Sequence, residues 1–182
     1  VPREIPLLTE KTVDAAGVCQ SGEVAFAIPA VEAIGDNRPF PPAAWPAPAP
    51  LPYRVPGLGP ARAAIITLDM GRVENGLLYL DVTGAEGSVI DVLYAEFLAD
   101  GVVPRPHQAR CLGDRFILPG GRTRLEVAFN WKAFRYAQLW IWSDEPLTIH
   151  QAGLRTIYYP LPAVPAFTCD DPFLNRLDEI CA

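Results

Sequence analysis

Glu96, in Tyr94-Ala-Glu-Phe97, is the first side chain that could do chemistry. Glycoside hydrolysis needs two carboxyl groups across a sugar pocket, roughly 6.5–9.5 Å apart in inverting enzymes. Glu96 has a competing use. It is the only acid in the apolar run 92–98, and Arg135 lies in the most apolar stretch of the chain, residues 129–142. A guanidinium cannot shed its charge, and an unpaired buried charge is very costly. The expectation is therefore a structural ion pair between Glu96 and Arg135, with no catalytic residue named.

Tryptophan supplies the second chemistry, stacking on sugar rings. Trp140 and Trp142 read as core. Trp131, between Asn130 and Lys132 at an expected turn, and Trp45, in a proline-dense stretch, are the candidates for carbohydrate contact. His107 and His150 lie far apart with no H-x-H, which argues against a cupin-type metal site. There is no G-x-S-x-G, and Gly57-Leu-Gly59 neither follows a strand nor opens a helix. Cys19, Cys111, Cys169 and Cys181 match no zinc spacing and are too few for a disulfide scaffold in a chain this long; they read as reduced, half-buried thiols, with one disulfide as the open alternative. No metal and no cofactor are expected.

The elements that would carry these residues are strands. The 182 residues suit one domain plus pieces of neighbours, and half of them are hydrophobic. Twenty prolines and 14 glycines favour many turns over long helices. A net charge of −6 without a basic cluster argues against nucleic acid and anionic membranes, and no run of ~18 apolar residues could span a bilayer. The chain begins Val-Pro-Arg without Met, so a missing signal peptide says nothing about export.

Residues 1–11 read as a lead-in and 12–165 as the main domain, with a proline-rich loop over 39–60 that cannot be a helix or a central strand. Period-two alternation marks a strand over 64–70, a turn at Gly71, and a second strand over 78–82. Gly84-Ala-Glu-Gly87 reads as a hairpin turn. Further strands are expected over 89–98, 115–118, 125–129 and 147–159, the last broken near Gly153. Residues 129–142 read as the central strand, apolar on both sides, with Phe134, Tyr136, Trp140 and Trp142 on one side and Ala133, Ala137, Leu139 and Ile141 on the other.

The fold class is all-β: an antiparallel β-sandwich or jelly roll of at least eight strands. Leu78, Leu80, Leu125, Val127, Phe134 and Tyr136 are expected to be buried. Residues 166–182 then change character. Asp170-Asp171-Pro172 starts a helix, and Phe173, Leu174, Leu177 and Ile180 form one apolar stripe. With no C-cap signal, this reads as a truncated helix at the start of a missing helical domain.

Several segments, taken in order, carry a resemblance. They are Leu68-Asp-Met-Gly71, Gly76-Leu-Leu-Tyr-Leu-Asp-Val-Thr-Gly84, Tyr94-Ala-Glu96, Asp114-Arg-Phe-Ile-Leu-Pro-Gly120 (D-x-Y-x-L-x-G), Phe129-Asn-Trp-Lys-Ala-Phe-Arg-Tyr136 (F-T-Y-H-G-F-R-Y) and Phe167-Thr-Cys-Asp-Asp-Pro-Phe-Leu-Asn175 (F-x-C-S-D-x-x-L-N). The series resembles the concanavalin-like β-sandwich domain of bacterial α-L-rhamnosidases, glycoside hydrolase family 78, and Arg3-Glu-Ile-Pro6 resembles the linker ahead of it. Lys132-Ala133 stands where the family usually has His-Gly.

The resemblance implies a non-catalytic domain that supports an (α/α)₆ catalytic barrel. The barrel's carboxylates would lie beyond Ala182, so the fragment is expected to be inactive on aryl α-L-rhamnosides. Implied partners are that missing domain and a rhamnose-containing carbohydrate. The alternatives are a stand-alone carbohydrate-binding module and the sandwich of a catalytically dead relative. The compartment stays open, with the bacterial cytoplasm slightly favoured.

Overall fold

The computed structural model describes residues 9–31, 34, 49–99, 113–159 and 167–181. Among them are nine strands: β1 (Thr9–Asp14), β2 (Gly17–Val24), β3 (Tyr53–Val55), β4 (Ala63–Gly84), β5 (Val89–Ala95), β6 (Gly113–Ile117), β7 (Gly121–Glu126), β8 (Lys132–Trp142) and β9 (Leu147–Tyr158). One helix, α1 (Pro172–Cys181), follows. Residues 10–157 form one compact unit, and α1 belongs to another.

The strand that organises the first unit is β4. Its first half lies between β2 and β8, and its second half between β7 and β9, all antiparallel. The reading of two strands with a turn at Gly71 is thus corrected to one strand with a bend. The β4–β8 register shifts between Asp69 and Glu74, and Gly71 sits there at φ +85°, a left-handed conformation that only glycine adopts without strain. The bend redirects the chain without reversing it, so β4 is shared by two layers. One layer runs β2-β4-β8-β5-β6. The other runs β7-β4-β9, with β3 on the far edge of β9 and β1 also joined to β9.

Gly84-Ala-Glu-Gly87 is a corner rather than a hairpin. Over 79–83 both edges of β4 are already taken, by β7 and β9, so the chain must cross to the other layer to start β5. The β6–β7 and β8–β9 links cross in the same way. The Gly87 N–H donates to the Leu118 carbonyl and the Leu118 N–H to the Ser88 carbonyl, tying two of these corners together.

Between the layers lies the main core, with Ile66, Leu68, Leu78, Leu80, Ile90, Val92, Leu139, Ile141, Leu147 and Leu154. A second cluster covers the outer face of the β8 layer: Ala63, Ile65, Val89, Leu93, Trp140 and Trp142, roofed by Phe26 and Ile34. The Trp142 indole donates to the Phe26 carbonyl at 2.7 Å, and the Phe26 and Trp140 rings meet edge-on at 5.8 Å. This is why β8 is apolar on both faces.

The expected parity fails at the start of β8, at Phe134 and at Ala133, which is exposed and not part of the inner core. Phe134 joins the inner core, 4.6 Å from the Tyr94 ring, while Tyr136 faces the outer cluster. The β4 bulge lies opposite this point. Leu78, Leu80, Val127 and Phe134 are buried as expected, but Leu125 and Tyr136 are only half-buried. Nor is β9 broken at Gly153: a Cβ there would stand 2.3 Å from the Val13 carbonyl oxygen, so the glycine allows close approach inside an unbroken strand. The described part of the proline-rich stretch supplies the short edge strand β3.

Candidate functional site

One end of the 10–157 unit collects the β4 bend, the end of β5 and the starts of β6 and β8. Lys132 and Asp114 meet here. The Lys132 ammonium donates to Asp114 Oδ2 at 2.7 Å and to the Asn130 carbonyl at 3.2 Å, and it lies 4.7 Å from the Tyr94 ring centroid. The Tyr94 hydroxyl donates to the same Asp114 oxygen at 2.6 Å. Only 4% of the Lys132 side chain is exposed. Burial, together with the neighbouring Asp114 carboxylate, pushes the Tyr94 phenol well above its ordinary range.

The expected partnership of Glu96 with Arg135 is corrected. Arg135 donates to Asp69 from Nε (2.8 Å) and Nη2 (2.9 Å), and Glu96 is exposed beyond the end of β5. Asp69 lies opposite Tyr136 in the ladder and also accepts from the Gly71 N–H at 2.7 Å. The Arg135 hydrogen bonds, with the Gly71 N–H and the Arg135 charge, hold the Asp69 carboxyl below the usual carboxylate range against the cost of burial. Arg135 also packs over the Tyr136 ring at 4.9 Å. Nearby, burial and then the Asp69 charge push the Cys19 thiol up to about 11, which leaves it a poor nucleophile.

The buried arginine pair lies elsewhere and was not anticipated. Arg115 on β6 donates to both oxygens of Asp91 on β5, at 2.6 and 2.8 Å, and Asp91 is wholly buried. Its signal was visible as the one acid in the run Val89-Ile-Asp-Val-Leu93, but its partner follows only from the β5–β6 register, which sets Asp91 opposite Arg115.

Asp69, Asp91 and Asp114 are thus each committed to a cation. Trp131 is 51% exposed and its neighbour Phe129 is 99% exposed. Phe97 and Val73, also exposed, lie at this same end. Trp45 falls outside the described residues. At the opposite end, the corners enclose an open cleft of about 290 Å³ that includes Glu86, Ser88, Trp142, Ser143 and Asp144, with the two serine hydroxyls 2.9 Å apart.

The unit that holds α1 presents a different surface. The Asp171 carboxylate accepts the Phe173 N–H at 2.8 Å and caps the helix, with Pro172 in its first turn. The Asn175 amide braces the approach, accepting from the Cys169 N–H and donating to the Cys169 carbonyl, both at 2.8 Å. Phe167, Phe173, Leu174, Leu177 and Ile180 are all exposed. Phe167, Leu174 and Leu177 line an open, mainly apolar groove of about 310 Å³.

Known proteins share this architecture. The rhamnosidase of Bacillus sp. GL1 superposes with a TM-score of 0.59 at 23% identity, over 70% of this chain and 13% of that one. A rhamnosidase from Klebsiella oxytoca, solved with rhamnose bound, gives 0.61 at 14% identity, over 94% of this chain and 33% of that one. At these identities the likeness shows the fold alone, and the chain spans a minor part of each relative. No curated protein matches. The model of one family, the bacterial alpha-L-rhamnosidase concanavalin-like domain, matches residues 61–156, more than half of the chain, and with the bent sheet just described this places the chain in that family.

Proposed function

We propose that the chain is the non-catalytic β-sandwich of an α-L-rhamnosidase-like glycoside hydrolase and that it docks against a helical catalytic domain of the same protein. The observation that carries this reading is the α1 unit. Its helix is capped and braced, yet four large apolar side chains stand open on it, with Phe167 exposed just ahead. A short helix in water is marginal without an apolar face packed on something. A precisely capped helix with an unpacked face is suited to a neighbouring helix. The names of the similar enzymes support the glycosidase context.

Hydrolysis tests the first half of the reading. The purified chain is expected not to turn over an aryl α-L-rhamnoside, because its well-placed aspartates are tied to cations. Turnover that survives purification and disappears in Glu96→Gln would overturn it. Docking is tested by Leu177→Asp, which is expected to lower the melting temperature of the full natural polypeptide and to leave that of the present chain unchanged. An equal effect in both would contradict docking through this face.

A further inference from the structure

We propose that the loop 128–131 is a preorganised sugar-stacking tip, with Trp131 as its platform and Lys132 as the positioning residue that holds it. The proposal rests on the loop alone and is independent of docking by α1. Four consecutive residues here are exposed, two of them aromatic, and Asn130 between them offers a side-chain amide. Aromatic rings offer a pyranose an apolar surface, and an amide can meet its hydroxyls.

What lies beneath the loop points to use rather than accident. Lys132 is buried at the base of the exposed tip, and its ammonium reaches back to the Asn130 carbonyl while bound to Asp114, which Tyr94 also holds. A buried ion pair is often no more stable than well-packed apolar side chains of similar volume. Here it fixes a main-chain carbonyl inside the loop, so the tip loses less freedom when a ligand binds. The occupant is taken to be small. Aromatic side chains carry roughly 150–250 Å² each, so Phe129, the half-exposed Trp131 and the partly exposed Phe97 and Val73 at the same end together still fall short of the ~800 Å² per partner of a stable protein interface.

The test follows the indole N–H signals of the ¹⁵N-labelled chain in titrations with L-rhamnose and D-glucose. Rhamnose is tried first because of the family to which the chain belongs. The Trp131 signal, identified by its loss in Trp131→Phe, is expected to move at millimolar sugar, while those of buried Trp140 and Trp142 stay still. Trp131→Ala should weaken binding at least tenfold. Lys132→Met should weaken it several-fold in a chain that still melts cooperatively, and Lys132→Arg should restore part of it.

A shift with either sugar supports the platform. A Trp131 signal unmoved at tens of millimolar of both sugars overturns it. So does Trp131→Ala changing only the association of the chain with another protein domain. Undiminished binding in Lys132→Met overturns the positioning role.

Discussion

The two layers of the sandwich share one core and differ on their outer faces. The β8 layer is roofed by Phe26 and Ile34, and its arginine pair is sealed in: Asp91 is 0% exposed and the Arg115 side chain 11%. The β7-β4-β9 layer is open. There Asp81 takes two hydrogen bonds from Arg122, Arg155 bridges Glu126 and Glu10, and the Arg124 guanidinium lies 4.2 Å above the Tyr79 ring. Both faces carry bidentate arginine–aspartate pairs of almost the same geometry. What separates them is water. Removing one member of a buried pair strands a charge, whereas an exposed pair is weak and screened by salt. The contrast teaches that the worth of an ion pair here is set by the roof above it.

The largest expected effect comes from breaking the sealed pair. Asp91→Ala should cost ~3–5 kcal/mol in a urea melt, because it takes both carboxylate hydrogen bonds away from the buried Arg115 charge. A loss below ~1 kcal/mol would mean that water reaches the site and that the two faces are alike. Next is Gly153→Ala, which forces a methyl against the Val13 carbonyl oxygen. Overpacking of this kind costs about 1–3 kcal/mol, and a neutral result would show β1 free to shift away from β9.

Arg135 is intermediate, with its side chain 38% exposed. Arg135→Met should cost about 0.2–1 kcal/mol, the range of exposed pairs. Its loss should couple to Asp69→Asn in a double-mutant cycle and simply add to Glu96→Gln. Coupling to Glu96 instead would contradict the pairing found here.

The same pair sets a pH dependence. The folded Asp69 pKa lies below its unfolded value, so its contribution is fully present above the unfolded carboxylate range, near pH 4, and is lost as pH falls through the folded pKa. Arg135→Met should flatten the acid limb of a stability–pH curve measured by urea melts. An unchanged limb would remove the electrostatic role. The smallest effect is expected from Arg122→Ala, whose side chain is 63% exposed. Melts in low and high salt should scarcely distinguish it from the parent, and a large loss would show that the open face is not open.

Much of this arrangement was legible in the residues. Alternation over 64–70 and 78–82 marked the inward side chains of β4, the two-faced apolarity of 129–142 marked a covered central strand, and Asp171-Pro172 marked the helix start. The rest depended on register. The composition around Gly71 fits a bend as well as a turn. Only the partners taken by each half of β4 distinguish them.

Arg135 announced its need for an acid, and the apolar run ending near Glu96 offered one. But Asp69, 66 residues away on the neighbouring strand, is the one within reach. Asp91 looked like an exception inside an apolar strand, and its partner emerged only with β6 alongside. Trp131 was read as open from its polar neighbours. The buried Lys132 beneath it carried no signal, since a lysine at a loop end reads as solvated.

The proposal that α1 offers a docking face is tested most directly by amide hydrogen exchange over residues 172–181. The measurement compares the present chain with the full natural polypeptide. Rapid exchange is expected in α1 of the present chain, where its apolar face stands exposed, and strong protection of the same amides in the longer protein. Equal exchange in the two would contradict it and leave the exposed Phe173, Leu174, Leu177 and Ile180 without the partner assigned to them.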